Sequence, residues 1–152
     1  EAEIAEQNDL LYADKADLDR AAGAVHRIEA MRVLVLTLAR FSKDEEVTGA
    51  AHVLEEKLTE LVMSLVDLRQ TGQGQDGIRF EAKLISKLAY LPRGLSVADF
   101  RPTDQEVEVQ GILHRQLTEL MRALDRLVAG DVAELNAMLQ AKGLGIIGGG
   151  GG

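Results

Sequence analysis

The sequence contains no cysteine and no tryptophan, and its two prolines are Pro92 and Pro102. Without cysteine the chain can form neither a disulfide nor a thiolate site, although this leaves its redox compartment open. Aromatic residues make up 3 % of the 152 residues. A core must therefore be built from leucine, valine, isoleucine, methionine and alanine. The scarcity of turn residues and of alternating β-branched residues argues against a β-rich domain.

A concentrated basic surface and a long apolar run are also missing. The formal net charge is −8, with 25 acidic and 17 basic residues. This balance argues against nucleic acid as a partner, because phosphate binding requires clustered basic side chains. No run approaches the ~20 apolar residues that span a bilayer, so we predict no membrane insertion. The chain begins at Glu1 rather than at methionine, and we interpret it as a processed product or a piece of a longer protein.

What the sequence does contain is leucine at helical spacing. In one segment, seven apolar residues follow one another in alternating steps of four and three residues, which places them on one helical stripe. They are Val47, Ala51, Leu54, Leu58, Leu61, Leu65 and Leu68. A second stripe consists of Val109, Leu113, Leu117, Leu120, Leu124 and Leu127. We interpret both as intramolecular core rather than as docking sites for a partner helix, because a bundle of this length needs them for its own stability.

The first helix is predicted from about Asp14, or from nearer Glu3, to Arg40. Its main apolar face consists of Leu18, Ala22, Val25, Ile28, Val35 and Leu38. That face is widened by Met31, Leu34 and Leu36. The extra width predicts a helix that is covered on more than one side.

Two helices are predicted in the middle of the chain. Ser42 and Glu45 fit a capping box at the start of the second helix, which runs to about Arg69. The glycine-rich segment that follows ends this helix, because glycine is costly in a helix interior. A shorter helix is predicted over residues 78–90, with Pro92 as its stop.

Two further helices are predicted in the last third of the chain. A helix over residues 103–129 begins with a capping box formed by Thr103 and Glu106. A break or kink is predicted at Gly130 and Asp131, and Asp131 is predicted to cap a last short helix over residues 132–142.

The predicted fold is all-α: an antiparallel up-and-down helical bundle with three long helices plus one or two short ones. The bundle domain is predicted to span residues 1–143, because Gly143 is a natural helix stop. Residues 144–152 are predicted to be a glycine-rich flexible tail.

Three histidines are the candidates for a metal site. His26, His52 and His114 are predicted one on each long helix, and each has a glycine three residues earlier. Di-iron bundles place glutamate at that position instead, and the chain has no His-Glu-x-x-His motif. We therefore predict surface or boundary histidines and no metal or other cofactor. A metal- or small-molecule-binding bundle that uses these histidines is the alternative hypothesis.

Other patterns match known sites only in part. Glycines in segment 72–77 have dinucleotide-binding spacing, but they follow a predicted helix rather than a strand. Acidic residues around this loop lack the alternating ligand positions of a calcium loop. They are Asp67, Asp76 and Glu81. Asp99 and Asp104 flank Pro102, where helix capping explains Asp104 without catalysis. We predict no catalytic and no cofactor-binding residues.

Three stretches, taken in order, carry a family resemblance. They are LVDLRQTGQGQD at 65–76, RFEAKL with LAYL within 79–91, and DFRPTDQ at 99–105. With the later segment 127–136, this order resembles the C-terminal helical region of large bacterial BNR-repeat proteins. These are sortilin-type, sialidase-like β-propeller proteins that are often labelled glycosyl hydrolases. The resemblance covers roughly residues 18–143.

The resemblance implies a helical bundle that follows propeller domains on one polypeptide, and export to the periplasm or the outside of the cell. Any glycan-directed activity would belong to the propellers, because this chain has no Ser-x-Asp-x-Gly-x-Thr-Trp box. We therefore expect a non-catalytic structural or interaction module. Its partner would be its own upstream propeller domains or a second copy in a homo-oligomer. An enzyme fragment completed by another domain is a third hypothesis.

Overall fold

The computed structural model describes residues 2–70, 80–95, 102–145 and 147, with side chains for 5–70, 80–92, 102–145 and 147. These residues form α-helices and one π-helical turn, and no strand occurs among them. The helices are α1 (Ala2–Phe41), α2 (Glu45–Leu65), α3 (Leu84–Leu95), α4 (Asp104–Leu127) and α5 (Ala133–Ala141). The π-helical turn, Val128–Val132, joins α4 to α5 as one uninterrupted helix. The all-α prediction is confirmed.

Interhelical ion pairs show that α2 runs antiparallel to the α4–α5 helix. Lys142, just beyond α5, contacts Asp44 at the start of α2 at 2.6 Å. Farther along α2, Lys57 pairs with Asp131 in the π-helical turn. The short connection 42–44 makes α2 antiparallel to α1 as well.

The first and last long helices run parallel to each other. Asp17 of α1 contacts His114 of α4 at 2.7 Å, and farther along both helices Arg27 faces Asp125 at 3.8 Å. The helices therefore form three columns that run up, down and up, and in such an arrangement the first and third columns are parallel. We call the end of the bundle that holds the start of α1 the lower end.

The short helix α3 continues the descending column that α2 begins. Leu84 at its start shares a surface cavity with Ser64 near the end of α2. After α3 the chain reaches Pro102, which lies beside Leu10 near the lower end of α1. The middle column of the bundle is therefore built from two helices, α2 above and α3 below.

The core lies where the three columns meet. On α1 the buried apolar residues are Ala21, Ala24, Ile28, Met31, Val35 and Ala39. On α2 they are Val47, Ala51, Leu54, Leu58, Val62 and Leu65. On α4 they are Leu113, Leu117 and Leu124. The predicted α2 stripe is confirmed as far as Leu58, but Val62 then replaces Leu61 at the core, and Leu68 lies beyond the helix. A spacing that averages 3.5 residues drifts around a helix of 3.6 residues per turn.

Two capping predictions have different outcomes. Asp44, not Ser42, caps α2, because its carboxylate accepts hydrogen bonds from the backbone N–H groups of Glu46 and Val47. The predicted Ser42–Glu45 capping box is wrong, since Asp44 directly precedes the first helical residue. The box at α4 is confirmed: the Thr103 hydroxyl accepts from the N–H of Glu106 at 3.2 Å. The Glu106 carboxylate in turn accepts from the N–H of Thr103 at 2.8 Å.

Three predicted helix ends are wrong. The second helix stops at Leu65 rather than near Arg69, because Val66 is extended. The third lies at Leu84–Leu95 rather than at 78–90, and Pro92 is inside it. Proline removes one helical hydrogen bond, but the helix continues for three residues beyond Pro92.

A π-helical turn takes the place of the break or kink predicted at Gly130 and Asp131, and the predicted cap at Asp131 is wrong. The helix continues through the π-helical turn into α5, and no side chain caps the start of α5. The Asp131 carboxylate contacts Lys57 instead. Gly143 does end α5, as predicted, with φ at +69°. Its N–H donates to the carbonyl of Gln140, and the N–H of Leu144 donates to that of Leu139, which together form a Schellman motif.

The chain after Gly143 returns to the bundle at Ile147. Its side chain is buried in the core. The amide of Asn136 on α5 donates to the Ile147 carbonyl at 2.8 Å and accepts from the Ile147 N–H at 2.6 Å. This two-bond clamp attaches the segment that the sequence places in the tail.

Candidate functional site

The most unusual buried groups are two carboxylates on the lower part of α1. Asp14 is 0 % exposed and Asp17 is 3 % exposed. Both lie in phase with the buried Ala21, Ala24 and Ile28, at successive steps of three, four, three and four residues. The core stripe of α1 therefore becomes acidic at the lower end. Apolar periodicity missed these residues, although extending the same spacing toward the N-terminus would have found them.

Asp17 is hydrogen-bonded from both α1 and α4. The Nδ1 atom of His114 lies 2.7 Å from its Oδ2 atom, and Nε2 of Gln110 donates to the same oxygen at 3.4 Å. Arg20, one turn along α1, donates to Oδ1 at 3.1 Å. When Nδ1 of the histidine donates its proton here, Nε2 is the remaining acceptor of the neutral ring.

Asp14 has no such support. Both carboxylate oxygens are buried, and no donor among the described residues forms a hydrogen bond with them. Burial, together with the nearby charge of Asp17, raises the pKa of Asp14 to about 6. We call Asp14, Asp17, Gln110 and His114 the lower seam: Gln110 and His114 of α4 contact Asp17 of α1, and Asp14 is buried one turn below Asp17 on α1.

The lower seam combines a buried carboxyl group of raised pKa, Asp14, with a hydrogen-bonded pair of Asp17 and His114. An aspartate that orients a histidine is also part of hydrolytic triads, which need a hydroxyl or thiol nucleophile against the ring. In the described part of the chain, Asp17 is the hydrogen-bond partner of His114. The described residues also contain no group of three or more histidine, aspartate or glutamate side chains placed to hold a metal ion. The arrangement favours a structural or pH-dependent role.

The predicted candidate residues do not form one site. The three histidines lie on three long helices, as predicted, and His26 and His52 are exposed. Asp17, the contact of His114, lies nine residues below His26 on α1, about 13 Å along the axis. The glycine segment 72–77, with Asp76, and Asp99 lie outside the described residues.

Asp67 has a structural role where the middle column is interrupted. It is buried, and its two carboxylate oxygens accept hydrogen bonds from Arg69 at 2.8 and 2.6 Å. Those bonds lower the pKa of Asp67 to about 2. The guanidinium of Arg69 also lies over the ring of Phe80, 4.7 Å from its centre. Glu81 is exposed and lies 3.9 Å from Lys83.

A second candidate surface lies on the upper part of α1, facing away from the core. Its large apolar side chains are between 44 % and 71 % exposed. They are Val33, Leu34, Leu36 and Phe41. The other outward residues from 30 to 41 are Ala30, Thr37 and Arg40. We call these seven residues the α1 outer surface. It contains no acidic side chain, although the chain has 25 acidic residues.

In the described part of the chain, α1 is covered on one side rather than on several, because Leu34 and Leu36 remain exposed. No described helix is long and apolar enough to cross a membrane.

No protein-family model matches the chain, and no curated protein and no solved structure is detectably similar to it. The class of the chain is given by its fold, which is an all-α bundle of three columns. The resemblance to BNR-repeat proteins depends on the sequence motifs alone.

Proposed function

We propose that the chain is a non-catalytic interaction module that binds another protein surface through the α1 outer surface. The observation that carries this proposal is the exposure of four large apolar side chains within three turns of one helix. Single exposed apolar residues are ordinary on proteins, whereas contiguous ones are typical of interaction sites. These apolar side chains are not needed to form the helix, because polar residues at outward positions form helices equally well.

Energetics support a protein partner. Fully burying one large apolar side chain contributes roughly 1.5–3 kcal/mol. Covering four that are about half exposed therefore supplies several kcal/mol toward association. The α1 outer surface contains no acidic side chain. A partner can therefore cover it without removing a carboxylate from water, which is costly at the centre of an interface.

The proposed partner is the β-propeller part of the same polypeptide, with a second copy of the chain as the alternative. The motifs within 65–105 and 127–136 support the first, through their resemblance to BNR-repeat proteins. Export from the cytoplasm belongs to the same proposal. Glycosidase activity of the chain by itself would contradict the non-catalytic part.

A matched pair of valines tests the proposed surface. Val33 on the α1 outer surface is 61 % exposed, and Val107 on α4 is 51 % exposed. We would compare Val33→Glu with Val107→Glu by sedimentation of the chain and by titration against the upstream domains. We expect Val33→Glu to weaken either binding to the upstream domains or self-association of the chain at least tenfold. Val107→Glu should leave the same association unchanged. Equal effects, or none, would overturn the proposal, with far-UV circular dichroism checking the fold of both variants.

A further inference from the structure

We infer that the lower seam is a pH-responsive device that holds the lower ends of α1 and α4 together in mild acid and loosens them at higher pH. The inference is independent of the proposed partner surface, because the seam lies on the lower part of α1 and the α1 outer surface on its upper part. It assigns a role to the buried carboxyl group of Asp14.

The geometry of Asp14 carries the first step. An ionised carboxylate inside a protein needs hydrogen-bond donors or a nearby cation, because burial removes its hydration. Asp14 has no donor among the described residues. The protonated acid is neutral and fits the buried position at a smaller cost. Ionisation therefore favours any conformation in which Asp14 reaches water.

Neighbouring charges do not reverse this preference. On α1 the nearest charged influence is Asp17, which opposes ionisation of Asp14. On α4, Gln110 and His114 bond to Asp17. On α3 the described titratable side chains, Lys87 and Tyr90, are exposed.

His114 marks the contact between α1 and α4 that lies next to Asp14. Its ring on α4 lies 2.7 Å from the carboxylate of Asp17 on α1. Asp17 is one helical turn from Asp14, so a conformation that brings Asp14 to water is expected to disturb this contact.

The sign of the effect follows from the raised pKa of Asp14. A group with a raised pKa in the folded state contributes stability below its unfolded value of 3.8 and loses it as the pH rises through about 6. The lower end of the bundle is thus expected to open more often at pH 7.5 than at pH 5.5.

Hydrogen exchange tests this expectation in the unmodified chain. After correction for intrinsic exchange rates, backbone amides between residues 8 and 20 should exchange about fourfold faster at pH 7.5 than at pH 5.5, which is the change that an Asp14 pKa of 3.8 in the open state and about 6 in the closed state allows. Amides of α2 should change little. Asp14→Asn should remove most of the pH dependence, whereas Asp9→Asn, at an exposed position on the same helix, should retain it.

A second measurement does not depend on a folded variant. The ¹³C resonance of the Asp14 carboxyl carbon in the native chain should titrate with a midpoint near pH 6. A midpoint near the ordinary value of 3.8, or equal pH dependence in the native chain and in Asp14→Asn, would overturn the inference.

Discussion

Asp17 and His114 are 97 residues apart in the chain, yet their side chains contact each other at 2.7 Å across the interface of α1 and α4. The contact joins the first and last columns of the bundle in parallel. It also places an ionisable ring, about half exposed, against a carboxylate that is almost fully buried. A polar contact therefore joins α1 to α4 toward the lower end of the bundle.

Replacing His114 is expected to destabilise the bundle. His114→Ala leaves the buried Asp17 carboxylate without its shortest donor, which costs about 1–3 kcal/mol of unfolding free energy. Urea unfolding at pH 6 would measure the loss. His26→Ala is the control, because His26 is exposed on the same bundle and should change stability by less than about 0.5 kcal/mol. Equal losses in the two variants would show that the Asp17 contact contributes nothing.

Removing the buried charge of Asp14 should stabilise the chain at neutral pH. A rise in pKa from 3.8 to about 6 means that ionisation costs the folded state at most about 3 kcal/mol. Asp14→Leu should recover part of this at pH 7.5 and little at pH 4. Thermal unfolding at both pH values would measure the difference. A variant less stable than the native chain at pH 7.5 would contradict the interpretation.

The Asp67–Arg69 pair should protect the junction of α2 and α3 down to strong acid. Because the folded pKa of Asp67 is lowered to about 2, its contribution is present above its unfolded value of 3.8. That contribution is lost as the pH falls through about 2. Arg69→Lys keeps the charge but not the two-bond geometry, and should lower Tm at pH 6. At pH 2 the difference between this variant and the native chain should shrink, and a constant difference would contradict the assignment.

Two leucines of the predicted α2 stripe should respond differently to truncation. Leu58 is fully buried, and Leu58→Ala should cost about 2–5 kcal/mol. Leu68 is 40 % exposed beyond the end of α2, and Leu68→Ala should cost less than about 1 kcal/mol. Chemical denaturation of both variants compares them directly. Similar costs would mean that the stripe continues past Leu65.

The Asn136 clamp on Ile147 can be isolated with a truncation. Asn136→Ala removes both hydrogen bonds to the Ile147 backbone and should cost about 1–2 kcal/mol. In a chain that ends at Gly143, the same substitution should have almost no effect, because its partner is absent. A double-mutant cycle by urea unfolding measures the coupling. An undiminished cost in the shortened chain would show that Asn136 acts elsewhere.

Much of the fold was predictable because local rules decide it. Leucine spacing identifies helices, Thr103 and Glu106 form the capping box that their spacing predicts, and Gly143 ends α5. The cap predicted at Asp131 was wrong: that carboxylate pairs with Lys57 of another helix, and the helix continues through a π-helical turn. A side chain that can cap a helix locally is equally able to pair at long range.

The candidate site was less predictable. Asp14 and Asp17 sit on the core stripe, but aspartate is rarely buried, so an apolar criterion skips it. The sequence identified His114 as one of three candidate histidines, but it did not identify the partner of His114, Asp17.

By itself, the sequence determined the helices and most of the core stripe of α2, since these depend on residues within one or two turns of each other. The predicted apolar face of α1 was only partly right, because Leu18, Val25 and Leu38 are partly buried and the alanines beside them occupy the core. Only the tertiary structure decided that α3 continues the column of α2, and that Asp17 meets His114. It also decided that Asp14 is buried without a hydrogen-bond donor among the described residues, and that these residues leave the α1 outer surface uncovered. Those facts depend on which helix faces cover one another. In a bundle of three columns, α1 is covered on one side, and its apolar residues extend beyond that side.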